Sequence, residues 1–187
     1  MKRGRCLLGC AVVAILGAVP AVAGEVCDLG GRLEPFVDRY LIESLDGAAL
    51  QMQSPADAGV ALRFDAPWEG RYCGYVTVFK EPEKFRLYYR GLPEPNKDGS
   101  DTEVTCYAES ADGKRWTKPS LGLHEVNGTR ENNIILAGMA PYSHNFAPFF
   151  DTRKGVPAEA RYKALAGTKE TGLAAFVSPD GVNWRIL

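Results

Sequence analysis

Short runs of apolar and β-branched residues alternate with turn-forming residues through the central part of the chain. The clearest runs cover 74–80, 85–90, 103–109 and 115–118. Runs of this length, bounded by Gly, Pro, Asn and Asp, are typical of β-strands. Helical periodicity is weak, and its best stretch, 35–45, fits the alternation of a strand almost as well. The pattern therefore predicts an all-β protein and leaves the structure of 35–45 open.

The same order of runs occurs twice. Residues 110–116 and 178–184 share the pattern S-x-D-G-x-x-W, and upstream the run 74–80 resembles 145–151 and 85–91 resembles 162–168. Asp-Gly is a hairpin signal, because a tight turn with positive φ suits Gly and tolerates Asp. A four-stranded antiparallel unit that repeats after about 70 residues is typical of a β-propeller blade. We therefore predict two blades, at about 72–119 and 143–187.

The N-terminus has the features of a secretory signal peptide. Lys2, Arg3 and Arg5 precede an apolar run over 6–19, and small residues follow at 21–24. The run is shorter than the roughly 20 residues of a membrane-spanning helix. We expect a signal peptide over 1–24, an N-terminal extension over 25–66 and a partial propeller over 67–187. The mature protein would be secreted or periplasmic, without membrane contact; a lipoprotein motif ending at Cys10 is the alternative.

Charge and cysteine content narrow the possible partners. The chain has 22 basic and 23 acidic residues, and loss of the three N-terminal basic residues makes it more acidic, so we expect no nucleic-acid partner.

Cleavage leaves an odd number of cysteines, Cys27, Cys73 and Cys106. Buried free thiols are one interpretation, and a Cys73–Cys106 bridge is the other. Nucleotide-binding and zinc-protease motifs are absent from the sequence, so we expect no cofactor and no metal.

Polar residues are predicted to gather on one rim of the blades. In an antiparallel unit the start of strand one, the end of strand two and the start of strand three share one end, where the long loops 92–102 and 117–144 also lie. Carboxylates, Arg, Asn and an aromatic ring are typical of a sugar site, although each residue also has a structural or solvated-surface interpretation. The predicted rim residues are Asp65, Trp68, Glu69, Arg71, Arg90, Glu94, Asp98, Asp101, Glu103, His144 and Asn145.

Several segments resemble a known family. They are Phe36–Ile42, Asp65–Gly70, Tyr75–Phe79, Leu87–Gly91 and Asn132–Leu136. Together they look like exported bacterial proteins with a family 32 type N-terminal domain, within the five-bladed propeller superfamily of glycoside hydrolase families 32, 43, 62 and 68. The resemblance implies three catalytic carboxylates around a central funnel. It also implies about five blades, so the chain is expected to be a truncated form.

This chain departs from the family pattern where two of those carboxylates are expected. The first blade begins with Arg71–Gly74 and lacks the motif that carries a carboxylate, and in the second blade Asn145 lies nearest the carboxylate position. The resemblance thus makes Asp65, Glu69 and Asn145 the catalytic candidates. The expected substrate-binding residues are Trp68, Arg71, Arg90, Glu103 and His144.

The sequence therefore predicts an exported glycoside hydrolase-like propeller that cleaves a poly- or oligosaccharide. The alternative is a non-catalytic carbohydrate-binding or scaffolding propeller, which the missing carboxylates favour. A sialidase is a weaker third interpretation, because the sialidase Asp-box has one more residue between Asp and Gly than the repeat motif in this chain.

Overall fold

The computed structural model describes residues 27–187. The described residues divide at Pro55 into a first unit, 27–55, and a second unit, Ala56–Leu187. The described part of the first unit contains only turns, bends and irregular backbone, including the undecided stretch 35–45. The predicted signal peptide lies outside the described residues. Over 27–187, no helix has the length and apolar character that crossing a bilayer requires.

The second unit contains two four-stranded antiparallel sheets. In the first sheet the strands follow chain order: β1 (Gly74–Lys80), β2 (Phe85–Gly91), β3 (Val104–Ser110) and β4 (Ile134–Leu136). The second sheet is also in chain order: β5 (Ala147–Phe150), β6 (Tyr162–Thr168), β7 (Gly172–Ser178) and β8 (Arg185–Ile186). A single 3₁₀ turn, Ala158–Ala160, lies between β5 and β6. The prediction of an all-β chain with four-stranded antiparallel units is confirmed.

The fourth strand of the first sheet differs from the predicted 115–118. Thr117 forms only an isolated bridge with Glu109, after which the chain leaves the edge of β3. It returns at Asn133, whose carbonyl accepts a 2.9 Å hydrogen bond from the Tyr107 N–H, and β4 follows. All three residues of β4 are buried. The outer strand is therefore split in two. The Ile-Ile-Leu segment is fully buried, whereas Leu121 and Leu123 of the intervening segment are only partly buried against the core.

The S-x-D-G-x-x-W repeat forms a turn stabilised by its own side chains. In the first copy the Ser110 hydroxyl accepts a 2.9 Å hydrogen bond from the Gly113 N–H. Asp112 Oδ1 accepts two 2.8 Å bonds from the backbone N–H groups two and three residues later. The Trp116 indole N–H donates to the Gly113 carbonyl at 3.2 Å. The motif is thus a structural element, in which each polar side chain pairs with turn backbone.

The second copy repeats this hydrogen bonding. Gly181 N–H donates to the Ser178 hydroxyl at 2.8 Å, and Asp180 Oδ1 accepts two 2.8 Å bonds from the following N–H groups. The Trp184 indole donates to the Gly181 carbonyl at 3.1 Å. The sequence repeat therefore corresponds to a repeat in three dimensions.

The hydrophobic core lies between the two sheets. Because side chains of a strand alternate between faces, Tyr88 of β2 points towards the second sheet and Tyr89 points away from it. The shared core contains Tyr88, Tyr107, Ile135, Leu136, Phe146, Ala164, Ala166 and Phe176. On the opposite face of the first sheet, Leu62, Phe64, Trp68 and Cys73 cover a second cluster that includes Tyr89. The first sheet is therefore covered on both faces.

Candidate functional site

Five polar and aromatic side chains meet at one end of the two sheets. They lie at the start of β1, the end of β2, the loop before β3 and the turn before β5, and we call them the rim cluster: Tyr75, Arg90, Asp98, Glu103 and His144. Three of them, Arg90, Glu103 and His144, are predicted substrate-binding residues. The structure thus brings these three together at the end where the strand order predicts them.

Glu103 and His144 form a buried pair. The imidazole Nδ1 lies 3.1 Å from both carboxylate oxygens of Glu103. The Gly99 N–H also donates to this carboxylate, at 2.6 Å. Glu103 is fully buried, and 11% of the His144 side chain is exposed. The imidazole and the carboxylate therefore hold each other in position at the rim.

Arg90 joins the other rim residues. Its guanidinium lies 4.3 Å from the centre of the Tyr75 ring, donates to Asp98 Oδ1 at 2.8 Å and to the Tyr72 carbonyl at 3.0 Å. Tyr75 is 52% exposed, and its ring meets the His144 ring edge to face at 5.5 Å. The rim therefore presents an aromatic surface with charged hydrogen-bonding groups beside it.

Asn145, a predicted catalytic residue, follows His144 in an exposed position. Its backbone has a φ of 56°, which Asn tolerates better than most residues. The side-chain amide donates to the Gly167 carbonyl at the end of β6, at 3.3 Å. This contact ties the turn before β5 to the second sheet.

Glu69 lies in a different place, on the outer face of the first sheet. It is fully buried and accepts hydrogen bonds from Tyr89 at 2.5 Å, from Lys118 at 2.8 Å and from the Ala66 N–H at 2.8 Å. Asn133 donates to the Tyr89 hydroxyl at 2.7 Å. We call Glu69, Tyr89, Lys118 and Asn133 the buried glutamate cluster. All of these hydrogen bonds are internal to the protein.

The remaining predicted residues lie around this cluster. The Trp68 indole donates to Asn133 at 2.9 Å. Asp65 is exposed and contacts Lys118 at 3.1 Å, and this hydrogen bond and charge lower the pKa of the Asp65 carboxyl. Arg71 is exposed and lines a shallow groove with Asp65 and Cys73. The catalytic candidates Asp65 and Glu69 are thus both paired with the same lysine.

A second groove, of about 420 Å³, opens beside Trp68. Its lining includes Glu94 and Asp101, which the sequence places on the rim, and it also includes Glu125 and Asn127. The residues predicted for one site are therefore distributed between the rim cluster, the buried glutamate cluster and this groove.

Sequence reasoning overlooked four residues of these clusters. Tyr75 belongs to an apolar run that indicates only a strand, and Tyr89 belongs to another. Lys118 and Asn133 bracket the segment that splits the outer strand, and nothing in the sequence signals that Lys118 contacts Glu69 or that Asn133 contacts Tyr89. Of these four residues, only Tyr75 has an unusual backbone conformation, with a φ of 49° at the irregular start of β1. This conformation is visible in the structure and not in the sequence.

No protein-family model matches the chain, and a comparison with curated proteins finds no significant match. The resemblance to the glycoside hydrolase propellers accordingly stays a prediction.

Proposed function

We propose that the protein is an exported, propeller-type carbohydrate-binding protein whose rim cluster contacts the sugar. The observation that carries the proposal is the half-exposed Tyr75 ring, which lies on Arg90. An exposed aromatic ring stacks on the apolar face of a pyranose, and adjacent charged groups bind its hydroxyls. Asp98 and His144 supply such groups within the same cluster.

The repeat supports the propeller-type interpretation. Tyr88 and Leu165 occupy the same position in the two copies of the second strand. Tyr88 is fully buried against the second sheet, and Leu165 is 46% exposed on the far face of that sheet. The corresponding face of each sheet thus points in the same direction, which is how successive blades stack in a propeller.

Binding is favoured over hydrolysis because of the surroundings of the carboxylates. A glycosidase needs two carboxyl groups that reach the scissile bond. Glu69 is buried and shared with Lys118, and Glu103 is buried and paired with His144. Neither presents an accessible carboxylate to a sugar.

Hydrolysis at the rim is the second candidate, and one distance favours it. A carboxylate oxygen of Asp98 lies within 4.8 Å of one of Glu103, close to the roughly 5–5.5 Å of retaining glycosidases. A pair of this kind would act only if Glu103 became accessible to the sugar.

An array of plant, algal and microbial oligosaccharides tests the proposal. We expect the protein to bind one class of glycan, and Tyr75→Ala to weaken that binding at least about tenfold. A tenfold change is about 1.4 kcal/mol, comparable to the contribution from burying the exposed part of a large apolar side chain. The matched control is Tyr40→Ala, at an exposed tyrosine of the first unit, which should bind as the parent protein does. Absence of binding across the array, or full binding by Tyr75→Ala, would contradict the proposal.

Aryl glycosides distinguish the second candidate. Turnover by the parent protein that disappears in Asp98→Asn would indicate hydrolysis at the rim. Glycan binding without turnover favours the binding function.

A further inference from the structure

Asp98, Glu103 and His144 are brought together by the fold although 46 positions separate the first from the last. Each offers one ligand atom, and these atoms all lie within 4.8 Å of one another. We propose that these three residues form a binding site for a divalent transition-metal ion. The proposal goes beyond sugar binding and does not depend on it.

The spacing of the ligand atoms suits a single ion. Metal–ligand bonds of about 2.0–2.2 Å place neighbouring ligand atoms about 3 Å apart and opposite ones slightly more than 4 Å apart. His144 Nδ1 and the Glu103 carboxylate are 3.1 Å apart, which fits neighbouring positions around an ion. The Asp98 ligand atom lies within 4.8 Å of the other two. Its side chain is 61% exposed, which leaves it room to approach an ion by a change of rotamer.

The charges at the site also favour a cation. Glu103 is a fully buried carboxylate whose closest ionisable partner is the imidazole of His144. Arg90 opposes an added cation, but its hydrogen bond to Asp98 uses Oδ1 alone. Oδ2 is therefore left for an ion, and Asp98 would bridge the ion and the guanidinium.

One polar atom beside the site is an independent indication that it holds a ligand. In the described part of the chain, the buried Ser143 Oγ is one of five side-chain atoms with no hydrogen-bond partner, and a hydroxyl oxygen has lone pairs that can face a cation. Ser143 precedes His144 directly and is 1% exposed. Buried polar groups without partners are rare in folded proteins and often accompany bound water or ions.

The donor set selects the class of ion. Imidazole with two carboxylates suits Zn²⁺, Mn²⁺ and Fe²⁺. Ca²⁺ and Mg²⁺ prefer sites made entirely of oxygen ligands. The site should therefore prefer transition metals over Ca²⁺ and Mg²⁺.

Isothermal titration of the full chain with ZnCl₂ and MnCl₂ tests this proposal, in the absence of sugar. We expect one ion per chain at the rim, and at least about tenfold weaker binding in His144→Ala, since losing a ligand costs no less than losing its supporting residues. The matched control is His124→Ala. His124 is the other histidine of the chain, and its ring contacts the Ile135 carbonyl at 3.1 Å. Zinc bound by cysteines would remain in both variants.

Asp98→Asn provides a second test on an exposed side chain, in case His144→Ala fails to fold. It should also weaken Mn²⁺ binding at least about tenfold. Equal affinity of the parent protein and Asp98→Asn, equal losses in the two histidine variants, or tighter binding of Ca²⁺ than of Mn²⁺ would overturn the proposal. Failure of glycan binding alone would leave these results unchanged, so the two proposals are separable.

Discussion

The Tyr88 hydroxyl in the first sheet donates a 2.9 Å hydrogen bond to the carbonyl of Gly181 in the second repeat turn. Tyr88 is fully buried. A Cβ atom built on Gly181 would lie 2.7 Å from that hydroxyl and 2.9 Å from Arg86 Nη1. The repeat turn of the second sheet is therefore packed closely against β2 of the first sheet.

We expect Gly181→Ala to destabilise the protein more than Gly155→Ala. Both glycines have positive φ, 74° and 82°, so both substitutions cost about 1 kcal/mol of backbone strain. A Cβ on Gly155 meets nothing within 4 Å, whereas the crowding at Gly181 adds about 1–3 kcal/mol. Urea unfolding gives both free energies of unfolding. Equal losses in the free energy of unfolding would show that the two sheets do not pack as closely at Gly181 as the structure indicates.

The carboxylate of Asp180 makes stability depend on pH. Burial opposes its ionisation, but hydrogen bonds from the N–H groups and side chain of Asn183 and the N–H of Val182 outweigh burial and lower the pKa of Asp180 to about 2. An unfolded Asp has a pKa of about 3.9. The folded state is thus stabilised by the ionised group above about pH 4, and this contribution is lost as the pH falls towards 2.

Asp180→Asn should therefore lower the melting temperature at pH 6, and the difference from the parent protein should shrink between about pH 4 and pH 2. Asp101→Asn is the control, because Asp101 is exposed and makes no hydrogen bond in the described structure. If the difference in melting temperature between Asp180→Asn and the parent protein were the same at pH 6 and pH 2, this role of the carboxylate would be ruled out.

The sequence predicts the strands well where local chemistry determines them. The observed β1 coincides with the predicted run 74–80, and the repeat motif gives both Asp-Gly turns. These elements depend on residues close in the chain, whose alternation and turn chemistry are visible in the sequence. The fourth strand depends on a return of the chain after the excursion from Thr117 to Asn133, and no local pattern specifies such a return.

The candidate site is harder to predict for the same reason. Strand order is enough to place Arg90, Glu103 and His144 at one end. The burial of Glu69 depends on Lys118 and Tyr89, which are distant in the chain, so the sequence presents Glu69 simply as another carboxylate near a rim.

Glu69→Gln should act on stability and leave glycan binding unchanged. Removing the charge leaves Lys118 with Asp65 as its remaining carboxylate partner, so we expect a loss of about 2–3 kcal/mol, slightly below the roughly 3–5 kcal/mol of fully buried pairs. Asp65→Asn, at the exposed end of the same lysine, should cost less than about 1 kcal/mol. Urea unfolding and the glycan array measure the two effects. If Glu69→Gln folds stably and loses glycan binding or turnover, Glu69 belongs to the site.

The three described cysteines should differ sharply in reactivity. Cys27 is exposed, Cys73 is partly buried and Cys106 is buried, and all three are free thiols. Burial, reinforced by the Glu69 carboxylate, raises the pKa of Cys73 to about 12, and burial raises that of Cys106 well above its ordinary value. The thiolate is the reactive form, so we expect iodoacetamide at pH 8 to label Cys27 rapidly and the other two only after denaturation.

Peptide mass spectrometry of the labelled protein measures this directly, and it also decides between the two interpretations of the cysteine pattern. A Cys73–Cys106 disulfide would appear as a linked peptide that stays unlabelled in denaturant until it is reduced. That result would contradict the free thiols of the structure and would tie the segment that covers Tyr89 to β3 covalently. Fast labelling of Cys73 in the native protein would instead show that this segment opens, because partial burial raises the pKa of this thiol to about 12 and leaves little thiolate to react at pH 8.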